Sequence, residues 1–170
     1  MNDFWVFGYG SLIWRPGFDY VECTKARLAG YHRALCVHSH VHRGTPERPG
    51  LVFGLDRGGS CVGMAFRVEG AKRDATIDYL RARELVTHVY RESVLPVRAM
   101  DGRRIEAVTY VVDRGHPQYA GKIDVASAAA IVARSHGQSG PNVEYVRSAY
   151  EHIAAMGLTD RWLQDVVSRL

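Results

Sequence analysis

Apolar residues repeat with a strand-like period over the first two-thirds of this chain and with a helical period over the last third. Short apolar or alternating stretches stand at Phe4-Trp5-Val6-Phe7, Leu35-Cys36-Val37, Leu51-Val52-Phe53 and Val62-Gly63-Met64-Ala65-Phe66. Two more follow at Val94-Leu95-Pro96-Val97 and Ala107-Val108-Thr109-Tyr110-Val111-Val112. Runs of this length and composition read as strands. Turns are expected between them at Gly44-Thr45-Pro46, Arg57-Gly58-Gly59-Ser60 and Asp101-Gly102. Helical spacing enters once among the strands, over Ala75 to Leu85, where Ile77 and Leu80 share a face. It returns over Val125 to Ala133, Val143 to Met156 and Asp160 to Leu170, with Gly157 as the stop of one helix and Thr159-Asp160 as the cap of the next. Strands first and helices last predict an α+β fold on a mixed or largely antiparallel sheet, not a doubly wound parallel one. With 170 residues and no linker rich in Ser, Gly or Pro, residues 1–170 are expected to form a single domain.

Charge narrows the classes of function. The net charge is +4, which suits an anionic small molecule as well as nucleic acid. The basic residues are scattered, however, and no Lys/Arg stripe with interleaved aromatics is present, so no nucleic-acid partner is expected. No apolar run is long enough to cross a bilayer, and Met1 to Trp5 carries no basic leader, so no membrane partner and a cytoplasmic location are expected. Three cysteines without CxxC spacing are expected to be reduced.

Four segments carry possible chemistry. The first is Phe7-Gly8-Tyr9-Gly10-Ser11-Leu12-Ile13-Trp14, directly after the first strand. Its glycines allow a sharp bend whose successive N–H groups converge on a carboxylate or oxyanion. A third glycine for a dinucleotide fingerprint and a Lys for a phosphate loop are both missing. A plain strand-ending turn fits the spacing equally well. The second is Leu80-Arg81-Ala82-Arg83-Glu84-Leu85. On a helix Glu84 falls within roughly 60° of Ile77 and Leu80, hence inward, and near the C-terminus, where the helix dipole disfavours a negative charge. Both effects raise a carboxylate's pKa towards the range useful for proton transfer at neutral pH. A structural ion pair with an arginine is the competing reading. The third is His38-Ser39-His40-Val41-His42. On a strand, His38, His40 and His42 would share a face, as metal ligands do; bland alternation on a solvent-facing strand is the alternative. The fourth is Gly137-Gln138-Ser139-Gly140-Pro141-Asn142-Val143-Glu144-Tyr145, in which Ser139 to Asn142 is expected to cap a helix and Tyr145 to lie in its first turns.

Taken together these segments resemble the ChaC-like, glutathione-specific γ-glutamylcyclotransferases. The Phe7 to Trp14 run is similar to the family's N-terminal signature, and His42-Arg43-Gly44-Thr45-Pro46-Glu47-Arg48-Pro49-Gly50 to its second block. Arg83-Glu84, followed by Tyr90-Arg91, stands where the family places its catalytic glutamate. Pro117-Gln118-Tyr119-Ala120-Gly121 and Ser139 to Tyr145 resemble the two C-terminal blocks. One departure is Leu85-Val86-Thr87-His88-Val89, which stands where the family often carries a glycine. The resemblance implies a γ-glutamylcyclotransferase-like fold with a closed or nearly closed sheet and flanking helices. It implies a lyase that converts glutathione to 5-oxo-L-proline and Cys-Gly without a cofactor or metal, with Glu84 as acid and base. Substrate is expected to contact Tyr9, Gly10, Ser11, Leu12 and Tyr145, and Arg43 to attract a glutathione carboxylate. Two other readings stand beside this one: a non-catalytic small-molecule binder on the same fold, and a metal-binding protein using the three histidines.

Overall fold

A computed structural model describes residues 2–170. It divides into two compact units: the described residues up to Arg33 with Leu55–Asp113, and Ala34–Gly54 with Arg114–Leu170.

The sheet closes as a barrel in the order β1 (Phe4–Gly8), β3 (Gly50–Val68), β2 (Glu22–Ser39), β4 (Tyr90–Ala99), β5 (Arg104–Val112). β1 runs antiparallel to β3 and parallel to β5, which makes the sheet mixed, and β4 and β5 form an antiparallel hairpin. Asp101-Gly102 turns that hairpin, with Gly102 at φ 96°. Gly44-Thr45-Pro46 lies between β2 and β3, as expected, but Arg57-Gly58-Gly59-Ser60 is not a turn. Gly58 and Gly59 take φ of 101° and 65° inside a continuous β3, so the left-handed backbone distorts the strand instead of reversing it. The two short stretches at Leu51 and Val62 are therefore parts of one strand. Similarly, Leu35-Cys36-Val37 is the end of an 18-residue β2 whose first half alternates too weakly to be read from sequence.

The core of the first unit lies between the sheet and helix α1 (Arg73–Glu84). Phe4, Val6, Val68, Val108 and Tyr110 from the strands meet Leu80 from α1 and Leu12 from the loop after β1. Partly buried Ile77 and Leu85 pack against them, which is the apolar helix face that the Ile77/Leu80 spacing predicts. Each fully buried Leu or Val there contributes roughly 1.5–3 kcal/mol. Burying Leu12 fixes the loop that carries it. Gly63 on β3 makes room for the same corner, since a Cβ there would collide with the Gly8 carbonyl oxygen and lie 2.9 Å from the Phe7 ring.

In the second unit α2 (Val125–Arg134), α3 (Asn142–Ala155) and α4 (Arg161–Val167) bury Val132, Val146, Ala149, Ile153, Leu163 and Val166. Asp160 caps α4 by accepting the Leu163 N–H at 3.0 Å, as its position predicts. Asn142 does not cap α3. Its side chain is fully buried, where Oδ1 accepts the Leu51 N–H at 2.8 Å and Nδ2 donates to the Leu51 carbonyl at 2.9 Å. It thus pairs with β3 as a neighbouring strand residue would. Gln118 and Ala120, in the Pro117 to Gly121 run, pair with the end of β2: the His38 N–H donates to the Gln118 carbonyl at 2.8 Å and the Ala120 N–H to the Cys36 carbonyl at 2.6 Å. Cys23, Cys36 and Cys61 form no disulfide among the described residues. Among the described residues no helix is long and apolar enough to cross a membrane.

Candidate active site

β1 ends at Gly8, and the chain folds back so tightly that a Cβ on Gly8 would lie 2.9 Å from that of Leu12. The next residues make a single helix-like turn: the Ile13 N–H donates to the Gly10 carbonyl at 2.9 Å, and Arg15 N–H to the Ser11 carbonyl at 2.8 Å. The carbonyls of this turn are satisfied from within. Among the described residues, the N–H groups of Gly10, Ser11 and Leu12 donate to no protein acceptor. A turn with its leading amides unspent is a ready acceptor of negative charge.

Arg33, on β2, secures the first peptide of this bend. Its Nε donates to the Tyr9 carbonyl at 2.6 Å and its Nη2 to the Val62 carbonyl at 2.8 Å. A peptide's C=O and N–H point in opposite directions, so fixing the Tyr9 oxygen also fixes the direction of the Gly10 N–H. Sequence reasoning missed Arg33 because the strand holding it begins far upstream of the apolar stretch that announces it.

Glu84 is the last residue of α1, and its side chain is 17% exposed. Its Oε1 lies 3.7 Å from Arg83 Nε, and among the described residues the carboxyl accepts no hydrogen bond. Burial raises its pKa above the ordinary carboxylate value, with the Arg83 charge opposing that rise. Glu84 therefore faces inward as its spacing predicts, yet it is not consumed by a hydrogen-bonded ion pair. Tyr110 on β5 stands near it; its hydroxyl donates to Glu92 Oε1 at 3.0 Å, and Glu92 is held in turn by a two-pronged bond from Arg81. Burial, the Glu92 bond and the nearby Glu84 charge push the Tyr110 hydroxyl far above its usual range, so it stays a proton donor.

The elevated Glu84 pKa has a cost in stability. The folded state holds the Glu84 proton more tightly than the unfolded chain, so stability falls as pH rises above the ordinary value of 4.5. Glu84→Gln is expected to melt at a higher temperature than the parent at pH 7. The two should converge below pH 4.5, which paired melting curves at both pH values check.

After Glu84 the chain turns through Leu85 to Val89, the stretch without the family's glycine. His88 adopts φ 60° there, the left-handed conformation glycine favours, alone among the described non-glycine residues.

The remaining sequence candidates lie in the second unit. Arg43 places its guanidinium 5.6 Å from the Tyr145 ring centroid and donates from Nη1 to the Pro141 carbonyl at 3.2 Å. The Tyr145 hydroxyl accepts the Phe53 N–H at 3.2 Å. The structure thus brings Tyr9, Gly10, Ser11 and Leu12 together with Glu84 in the first unit, and Arg43 together with Tyr145 in the second.

The histidines do not share a strand face. β2 ends at Ser39; His38 and His40 stack with ring centroids 6.3 Å apart, while His42 turns to Ser139 Oγ, 2.9 Å from its Nδ1. Among the described residues no three potential metal ligands converge.

Comparison with known proteins agrees with this geometry. The sequence profile of the ChaC-like proteins matches residues 4–170. The glutathione-specific γ-glutamylcyclotransferase of Escherichia coli (strain K12) is 31% identical over 163 residues, covering 96% of this chain and 71% of that protein. Glutathione-specific γ-glutamylcyclotransferase 1 of Danio rerio is 32% identical over 149 residues, covering 85% and 76%. In fold, the crystal structure of a γ-glutamyl cyclotransferase specific to glutathione from yeast matches with a TM-score of 0.89 at 22% identity, over 99% of this chain and 96% of that one. A profile that runs from residue 4 to residue 170 places this chain in the ChaC-like protein family.

Proposed function

We propose that this chain cyclises the γ-glutamyl group of glutathione, releasing 5-oxo-L-proline and Cys-Gly, as a single cytoplasmic γ-glutamylcyclotransferase domain acting without a cofactor. The observation that carries the reading is Glu84: largely buried, without a hydrogen bond among the described residues, and one guanidinium away from a bend whose Gly10, Ser11 and Leu12 amides donate to no acceptor among those residues.

The reaction needs no external nucleophile. The substrate's α-amine attacks its own γ-carbonyl, closing a five-membered lactam as the bond to the cysteinyl nitrogen breaks. The α-ammonium gives up two protons in total, and the departing nitrogen gains two as it becomes the Cys-Gly ammonium. A carboxylate of raised pKa placed between them takes a proton from the amine and returns one to the leaving nitrogen, a role worth typically 10²–10⁴-fold. The amides of Gly10, Ser11 and Leu12 hold the glutamyl portion and favour its folded conformer. Orientation of this kind lowers an intramolecular barrier by up to several kcal/mol. For Tyr145 and Arg43 the support is the family resemblance together with their chemistry: a phenolic hydroxyl, and a cation for a carboxylate of the tripeptide.

Mass spectrometry of products from glutathione, other γ-glutamyl dipeptides and γ-glutamylamines tests the reading. Equal amounts of 5-oxoproline and Cys-Gly from glutathione are expected. No 5-oxoproline from any of these compounds would overturn it.

A further inference from the structure

Arg83 spends its guanidinium on the bend. Nη2 donates to Ser11 Oγ at 2.8 Å, and Nη1 to the carbonyls of Arg15 at 2.7 Å and Pro16 at 3.2 Å. Nη1 also reaches the hydroxyl of Tyr79 at 3.0 Å, one turn back on α1. The side chain is only 18% exposed, and its acceptors are carbonyls and hydroxyls. The Glu84 carboxylate sits 3.7 Å from Nε, beyond hydrogen-bond reach.

An arginine placed merely to neutralise a buried glutamate would bind it through two parallel N–H donors, the strongest geometry open to the pair. Here both terminal nitrogens point away from Glu84 and into the loop. Two of the contacts are to consecutive backbone carbonyls, so they fix the path of the chain and not just one side chain. The result is a rigid connection between the residues that present the Gly10–Leu12 amides and the turn of α1 that carries Glu84.

We propose that Arg83 is a positioning residue for the cyclisation, locking the Ser11–Pro16 loop onto the end of α1 so that the bend and the Glu84 carboxyl keep a fixed separation. This rests on the reading of Glu84 as acid and base. It assigns Arg83 a role that its neighbour in the Arg83-Glu84 pair does not imply. Lysine cannot substitute, because an ammonium cannot span the Ser11 hydroxyl and two carbonyls in one plane. A misplacement of about 1 Å between reacting groups is enough to lose about 10²-fold in rate.

The test compares Arg83→Lys, Arg83→Met and Ser11→Ala with the parent, using glutathione and following kcat, KM, melting temperature and the pH dependence of kcat/KM. The groups facing the Glu84 carboxyl are Arg83 on its own helix and Tyr110 on β5, the latter tied to Glu92 and Arg81, and only Arg83 is altered. Arg83→Lys is expected to lose kcat by roughly 10–100-fold while its acid limb stays in place, because a cation remains beside Glu84. Arg83→Met should lose as much and also move that limb to higher pH. Ser11→Ala should cost a smaller fraction of kcat and add nothing when combined with Arg83→Lys, since both break the same link. Folded Arg83→Lys with kcat within about threefold of the parent would overturn the proposal. So would additive losses in the Ser11→Ala/Arg83→Lys pair. If Arg83→Met fails to fold, the Lys and Ser11 variants decide alone. A parent enzyme that fails to turn over glutathione, or a Glu84→Gln enzyme with undiminished turnover, would instead remove the underlying functional reading.

Discussion

Glu84→Gln is expected to bind glutathione nearly as well as the parent while losing about 10²–10⁴-fold in kcat, or about 3–5 kcal/mol of barrier lowering. The substitution keeps the shape of the side chain and removes only its ability to accept a proton. Among the described residues the carboxyl makes no hydrogen bond, so no buried partner there is orphaned by the change. The bend keeps its own ties, to Arg33 through Tyr9 and to Arg83 through Ser11. Binding and turnover should therefore separate. Equilibrium binding of glutathione with steady-state release of 5-oxoproline checks both halves. A variant with both intact would show that Glu84 is structural, and one with both lost would place it in substrate binding.

Asn142→Ala is expected to destabilise the protein by about 3–5 kcal/mol without entering the chemistry. Leu51 is fully buried, and both its N–H and its carbonyl are satisfied by the Asn142 side chain. Truncation leaves two buried backbone groups unpaired, at about 1–3 kcal/mol each, and adds a small cavity. Asn142→Asp should be no milder at neutral pH, because it replaces a donor to the Leu51 carbonyl with a second acceptor and buries a charge. Urea unfolding checks this through a lowered midpoint at unchanged slope. A loss below about 1 kcal/mol would mean that water can take over both hydrogen bonds.

That asparagine also marks a boundary of what the sequence discloses. Its position before a helix, after Gly140-Pro141, suggests a cap, and nothing local distinguishes a cap from a side chain that reaches Leu51 some 90 positions away. Long-range pairing has no period. The same holds for Arg33, whose two acceptors, Tyr9 and Val62, lie far from it on either side. What repeats locally was legible. The Ile77/Leu80/Glu84 face, the helix boundaries after residue 124, the cap before α4 and the placing of strands early and helices late followed from spacing and turn chemistry. Glycine pairs misled where a strand absorbs them, as β3 does at Gly58 and Gly59, because positive φ serves a strand distortion as readily as a turn. The histidine run misled for a related reason: alternation along three residues implies a shared face only while the strand lasts, and β2 ends at Ser39.

The most direct test of the account is an NMR titration of the Glu84 side-chain carboxyl, set beside the pH dependence of kcat/KM for glutathione. The carboxyl is expected to titrate above 4.5, its ordinary value, and its titration to coincide with the acid limb of the rate profile, because the base must be unprotonated to take the substrate's proton. A Glu84 that titrates at or below 4.5, or an acid limb that persists unchanged in Glu84→Gln, would contradict it.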